Sequence, residues 1–190
     1  MPDDPRLRVA TQTEWWSWLE ANGTTSSGVW LELARKGSPV PTPTYAEAIE
    51  SALCHGWIDG QKRALDADLW LQRFTRRGQQ SRWSKINRDK ATALIASGQM
   101  QPAGHAEVER ARADGRWERA YAGAATIEVP ADLRARLDET PAAAEFFATL
   151  NGVNRYAVLY RIQDAKRPET RARRIETFVE MLARGEKLHP

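Results

Sequence analysis

The sequence predicts an α+β fold: a small antiparallel sheet with flanking helices, followed by a C-terminal helical bundle. Three observations predict it. Strand-like alternation of apolar and polar residues is confined to the first 76 residues. Two Thr-x-x-Glu words, at Thr11–Glu14 and Thr44–Glu47, stand before stripes of 3.6-residue period in the same part of the chain, the signature of capped amphipathic helices. Beyond Thr126 only helix starts and stops remain, among them Pro130, Pro141, Asn151-Gly152 and Gly185, so that part reads as a small bundle.

Taken in order, Thr11 caps a helix carrying Trp15, Trp18 and Leu19, and Asn22-Gly23 predicts a left-handed stop. Gly28 to Arg35 alternates well enough for a strand. Residues 36–43 hold Gly37, Ser38 and three prolines, a loop leading to the second capping box. From Tyr45 the apolar positions Tyr45, Ala48, Ile49, Ala52 and Leu53 form one stripe, so this helix lays that face on a core, and Gly56 ends it. Trp57 to Arg76 reads as a hairpin turning at Asp66 and Asp68. Leu69, Leu71, Arg73 and Thr75 face one way, and Trp70, Gln72, Phe74 and Arg76 the other. Ser84 or Asn87 caps the next helix, with Ala91, Leu94 and Ile95, and another runs over about residues 103–114. The small-residue stretch AYAGAAT, residues 120–126, predicts a linker. After it come helices marked by Phe146, Phe147 and Leu150, by Tyr156 and Tyr160, and by Ile175, Phe178, Val179 and Leu182.

Composition narrows the class. The chain has 190 residues, 42% apolar content and eight tryptophans, ample for a packed core. The N-terminal MPDDPRLRVATQ has early acids and no apolar core, unlike a signal peptide, and no apolar run approaches the roughly 20 residues that span a bilayer. Membrane insertion is therefore not expected. A single cysteine permits no internal disulfide, which agrees with a reducing cytoplasm.

Charge is uneven. Between Gly60 and Lys90 there are nine Lys or Arg against three Asp, while the whole chain carries only +3. Arg73, Arg76, Arg77, Arg82 and Lys85 occur with Trp83 and two serines, a mixture able to hold an anion, since guanidinium forks bind carboxylate or phosphate and an indole stacks on a planar group. The bland reading puts Trp83 in the core and pairs the arginines with Asp66, Asp68 and Glu47. On the sharper reading Asp59 orients Arg73, Trp57 or Trp83 supplies an apolar wall, and Arg77, Ser81, Ser84 and Asn87 complete the donors. Asp59 also reads as a turn residue bridged to Lys62 or Arg73. The basic run from Arg161 to Arg174 reads as an ion-pair lattice on helix surfaces. Cys54 and His55 are adjacent on a helix and point about 100° apart, so Cys54 reads as structural. His105 and His189 lack metal-ligand spacing, and no metal or cofactor is expected.

The words ALCHGWIDG, LQRFTRR, SRWSKIN, GQM, ARADGRW, NRYAVLYRIQDAKRPETRARRI and MLARGE resemble those of the bacterial family called YdeI/OmpD-associated, or bacteriocin-protection, proteins. The resemblance implies a YdeI-like α+β domain over residues 1–122 and an all-helical OmpD-associated-like domain over residues 127–190. It implies a stress or antimicrobial-protection role and no established reaction. The expectation is a non-enzymatic cytoplasmic protein that binds a small anionic molecule or a protein partner. Alternatives are a nucleic-acid-binding protein using the basic segments 73–90 and 161–174, and an enzyme of unknown reaction.

Overall fold

The computed structural model describes residues 4–190; the first three residues of the acidic N-terminal segment lie outside them. The chain divides into two compact units, residues 1–83 with 87–120 and residues 84–86 with 121–190. The class is α+β, as the sequence predicts.

The first unit holds β1 (Arg6–Leu7), α1 (Gln12–Asn22), β2 (Gly28–Ala34), α2 (Tyr45–Cys54), β3 (Trp57–Ala64), β4 (Leu69–Arg76), most of α3 (Lys85–Ala96) and α4 (Pro102–Ala113). Its sheet has the order β1-β2-β4-β3. The sheet is mixed rather than antiparallel, because β1, too short to show any alternation in sequence, pairs parallel to β2. The other two pairings are antiparallel. Val29, Leu31, Leu33, Phe74 and Trp57 form the apolar side of this sheet, packed in one cluster with Trp15 and Leu19 of α1 and Ala48, Ala52 and Leu53 of α2.

The Thr44 capping box forms as expected, while at Thr11 the cap forms but the Glu14 carboxylate takes the preceding amide, that of Ala10, instead of the Thr11 amide. The Thr11 hydroxyl accepts from the Glu14 amide at 3.2 Å, and the Ala10 amide donates to the Glu14 carboxylate at 2.7 Å. In α2 the Thr44 hydroxyl and the Glu47 carboxylate satisfy each other's amides. Two details differ from expectation. Gly23 has φ −62°, so α1 ends in right-handed geometry. Tyr45 is 44% exposed, because it sits in the first turn of α2, beyond the part of the stripe that meets the core. Its ring leans instead on Trp70, with centroids 5.8 Å apart.

The second unit contains α5 (Ala131–Asp138), α6 (Pro141–Thr149), α7 (Gly152–Gln163) and α8 (Pro168–Ala183). Leu133, Phe147, Leu159, Ile162, Phe178 and Leu182 are buried in one cluster. Asn154 is the buried polar exception. Its side-chain oxygen accepts from the His189 amide at 2.9 Å and its amide nitrogen donates to the His189 carbonyl at 3.2 Å, so burial leaves no orphan group. No strand occurs among the described residues after 121. The expected linker is not loose, since Ala120 and Ala122 are buried and Tyr121 bridges Ser84.

Gly104 shows where α4 approaches the end of α2 most closely: a Cβ there would collide with Met100 Sδ and the Cys54 and Leu53 carbonyl oxygens. Gly104→Ala is expected to destabilise the protein by about 1–3 kcal/mol through overpacking, measured by urea unfolding. Gly152→Ala, with open space around the added methyl, is the control and loses nothing.

Candidate functional site

The site is assembled by an irregularity in the hairpin. Asp59 stands opposite Phe74 and Lys62 opposite Gln72, so three steps along β3 match two along β4. This is a β-bulge, one extra residue inserted at Gly60-Gln61. Gln72, buried, donates through Nε2 to the Gly60 and Gln61 carbonyls at 3.0 and 3.2 Å. Side chains alternate along a strand, so the extra residue reverses their phase. Lys62 and Ala64 thereby share the side of Trp70 and Phe74. Arg63 falls on the opposite side, its guanidinium 4.3 Å from the centre of the Trp30 ring.

Next to this hairpin lies a recess of about 490 Å³, lined by Ala34, Arg35, Lys36, Lys62, Arg63, Ala64 and Trp70. Four of the seven side chains are cationic and none is acidic. Among the described residues no carboxylate pairs with Lys36 or Lys62. Arg35 is anchored by its backbone, which donates to the Asp68 carbonyl at 2.7 Å, and by Nε, which donates to the Asp66 carbonyl at 3.1 Å. The Asp66 carboxylate accepts from the Asp68 and Leu69 amides at 2.9 and 2.8 Å, and these bonds, followed by the charges of Arg8 and Arg35, hold it below the usual carboxylate range. Trp70 is backed by Tyr45, whose hydroxyl donates to Asp59 Oδ2 at 2.7 Å. Burial, then the hydrogen bond and charge of Asp59, push the Tyr45 hydroxyl pKa upward, so it stays a donor at neutral pH.

The other side of the sheet is also rich in arginine but is internally paired. Glu32, buried, receives Arg6 at 2.7 Å and Arg8 at 2.6 Å. Burial alone would raise its pKa, yet the two guanidinium hydrogen bonds and charges prevail and hold it low.

Of the residues singled out in the sequence, only some meet. Asp59 and Arg73 do not: Asp59 takes the side of Phe74 and bonds Tyr45, whereas Arg73, opposite Trp30, pairs with Asp4 at 2.7 Å. The expected orienting pair is therefore corrected. Its cause is the register, which sets Asp59 against Phe74 and not against Arg73. Asp59 does not bridge Lys62 either. Trp57 is fully buried, with Nε1 donating to the Gly23 carbonyl at 3.1 Å, and offers no wall to a ligand. Arg77, Ser81 and Trp83 do converge. The Arg77 guanidinium stacks 3.6 Å from the Trp83 ring centre, Trp117 meets Trp83 edge-on at 4.9 Å, and Arg116 donates to the Ser81 carbonyl at 2.6 Å. Trp83 and Arg77 are 2% and 5% exposed, so this is a packed stack and not an open cleft. Ser84 belongs to the bridge with Tyr121 in the second unit, and Asn87 lies in the first turn of α3. The expected pairing of arginines with Asp66, Asp68 and Glu47 side chains is likewise absent from the described ion pairs, Glu47 being occupied by its cap. In the C-terminal run, Arg171 forks onto Asp132 at 2.6 and 2.9 Å and Arg174 reaches Asp164 at 3.8 Å, as an ion-pair lattice requires.

Sequence reasoning counted Lys62 and Arg63 as charges but did not place them in a site with Arg35, Lys36 and Trp70. The adjacent cations at the end of the β2 run were the available signal. Their meeting with the hairpin depends on the β2–β4 pairing and on the bulge, neither of which is written locally.

Fold and recess define an α+β protein whose first unit carries a cationic, indole-walled recess and whose second is a helical bundle. Residues 7–107, more than half of the chain, match the family model described as "Domain of unknown function (DUF8412)", and the chain belongs to that family. Residues 126–185 match the model described as "Bacteriocin-protection, YdeI or OmpD-Associated", the family its sequence words resemble. No curated protein and no solved structure matches the chain.

Cys54 and His55 form no catalytic pair. His55 Nδ1 lies 2.8 Å from the Ser51 carbonyl and its ring packs on Trp16 at 4.5 Å. The Cys54 thiol is buried, and burial, with a contribution from Glu50, pushes its pKa up to about 11. A thiolate is the reactive form. Alkylation of Cys54 by iodoacetamide at pH 7.5 is therefore expected to proceed only at the rate of unfolding, and Cys54→Ala to cost of order 1 kcal/mol through lost packing. Rapid alkylation of the folded protein contradicts this.

Proposed function

We propose that this chain is a non-enzymatic cytoplasmic binding protein that holds a small anionic ligand in the recess beside β2 and the hairpin. The observation that carries the reading is the lining: four cations from β3 and the segment that follows β2, one indole, and no acid among the described lining residues. Unit charges about 8 Å apart in water repel by about 0.5 kcal/mol per pair, so gathering cations raises the energy of the free protein and a bound anion relieves it. A volume near 490 Å³ lies within the range of small-molecule sites. The Arg77–Trp83 stack supports the fold around it rather than the ligand. Through the family of its second unit the chain is associated with bacteriocin protection, and a binding protein serves such a role by holding a ligand, with no turnover.

Nucleic acid is the competing partner, and salt separates the two. Binding to a nucleic acid weakens steeply as salt rises because many counterions are released, whereas one small anion in a recess shows a shallow slope. Calorimetric titration of inorganic pyrophosphate into the full chain is expected to show saturable binding. The Lys36→Ala/Lys62→Ala double variant weakens it about tenfold, the loss of two charges worth about 0.5–1 kcal/mol each. An affinity unchanged by the double substitution refutes the recess as the site. Oligonucleotide binding with a steep salt slope, in the absence of pyrophosphate binding, favours the alternative.

A further inference from the structure

The second unit holds a recess of its own, of about 500 Å³, and every residue that lines it belongs to that unit. It is lined by the run from Thr126 to Ala131, by Leu159 and Gln163 of α7, by Arg171 of α8 and by Lys85. The backbone ties Lys85 to this unit, its amide donating to the Tyr121 carbonyl at 2.8 Å. Residues 127–130 lie in neither helix nor strand, and Pro130 keeps Val129 before it extended.

Charge in this recess is of both signs, and its pairing is uneven. Arg171 is committed: it forks onto Asp132 at 2.6 and 2.9 Å, and its Nη1 donates to the Ile162 carbonyl at 3.1 Å. Lys85 and Glu128 are not. Both are exposed and line the same recess, yet among the described residues their side chains pair neither with each other nor with a third group. A simple anion drawn to Lys85 is repelled by Glu128, and a simple cation meets the reverse. A ligand with an ammonium at one end and a carboxylate at the other satisfies both.

Two further features describe the body of such a ligand. Apolar groups share the lining, with Ala122 and Leu159 buried and Ile127 and Val129 half-buried, so apolar side chains have a surface to cover. The main chain of the extended run is also unused: among the described residues the Glu128 and Val129 amides have no hydrogen-bond partner. An extended peptide adds to a run of this kind through its own carbonyls.

We propose that this recess binds a short apolar peptide with free ends, its ammonium taken by Glu128, its carboxylate by Lys85, and its main chain laid along residues 127–130. The proposal is independent of the cationic recess in the first unit.

The test is calorimetry on the full chain with three probes: leucyl-leucine, its N-acetylated form and its C-terminal amide. Leucyl-leucine is expected to bind saturably, and each blocked form about tenfold more weakly, the loss of one charge-assisted contact. Glu128→Gln removes the preference over the acetylated form and keeps the preference over the amide, while Lys85→Met does the opposite. Damage to folding moves all three probes together, which separates it from the loss of one contact. The Lys36→Ala/Lys62→Ala variant leaves leucyl-leucine binding unchanged, so this site and the first recess stand or fall separately. Absence of saturable leucyl-leucine binding, equal affinities of the free and blocked peptides for the wild-type chain, or preferences that survive both single substitutions overturn the proposal.

Discussion

The first unit depends on one residue too many in β3. The bulge at Gly60-Gln61 is stable because Gln72, opposite it and buried, donates to both bulge carbonyls. Gly60 and Gln61 are exposed, so what the bulge satisfies is the buried Gln72 amide, a group costly to leave without partners. Everything distal to it on β3 is turned over. Asp59 on the near side stays beneath the helices, where Tyr45 reaches it, while Lys62 joins Trp70 and Arg63 covers Trp30. A regular strand would put Arg63 on the side of the helices and Lys62 among the arginines of the other side.

The two sides of the sheet handle positive charge differently. On the side of Trp30 the guanidiniums are matched by Glu32 and Asp4, both in close contact with them. These pairs cover apolar strand residues with aliphatic stems while keeping charge compensated. At the recess no carboxylate among the described residues pairs with Lys36 or Lys62, and the Asp66 carboxylate is hydrogen-bonded to amides of its own turn while its charge acts on Arg35 through space.

Much of the fold was legible because its signals are local. The two threonine caps, the stripe of α2, the hairpin faces at Leu69 to Arg76 and the proline-initiated C-terminal helices each follow from residues within one turn of each other. What was not legible depends on pairing across the chain. The parallel contact of β1 with β2 joins residues more than twenty positions apart through only two residues of strand. The misplaced partnership of Asp59 with Arg73 has the same origin: the alternation of each strand is visible in the sequence, but which residue stands opposite which is set by tertiary packing. Trp57 and Trp83 were read as walls because an indole beside cations is the composition of a ligand site. Both are structural, one hydrogen-bonded to Gly23 and the other stacked beneath Arg77. Composition located the basic region but did not choose between its two indoles and Trp70.

The bulge gathers a cationic recess from β3 and the segment that follows β2. Nitrogen–proton correlation spectra of the protein titrated with pyrophosphate test it most directly, since every backbone amide and indole reports separately. The largest shifts are expected at Arg35, Lys36, Lys62, Arg63 and the Trp70 indole, with Arg77 and Trp83 little changed. Shifts concentrated in the segment from Arg77 to Asn87, or spread evenly over the arginines of both units, would contradict it.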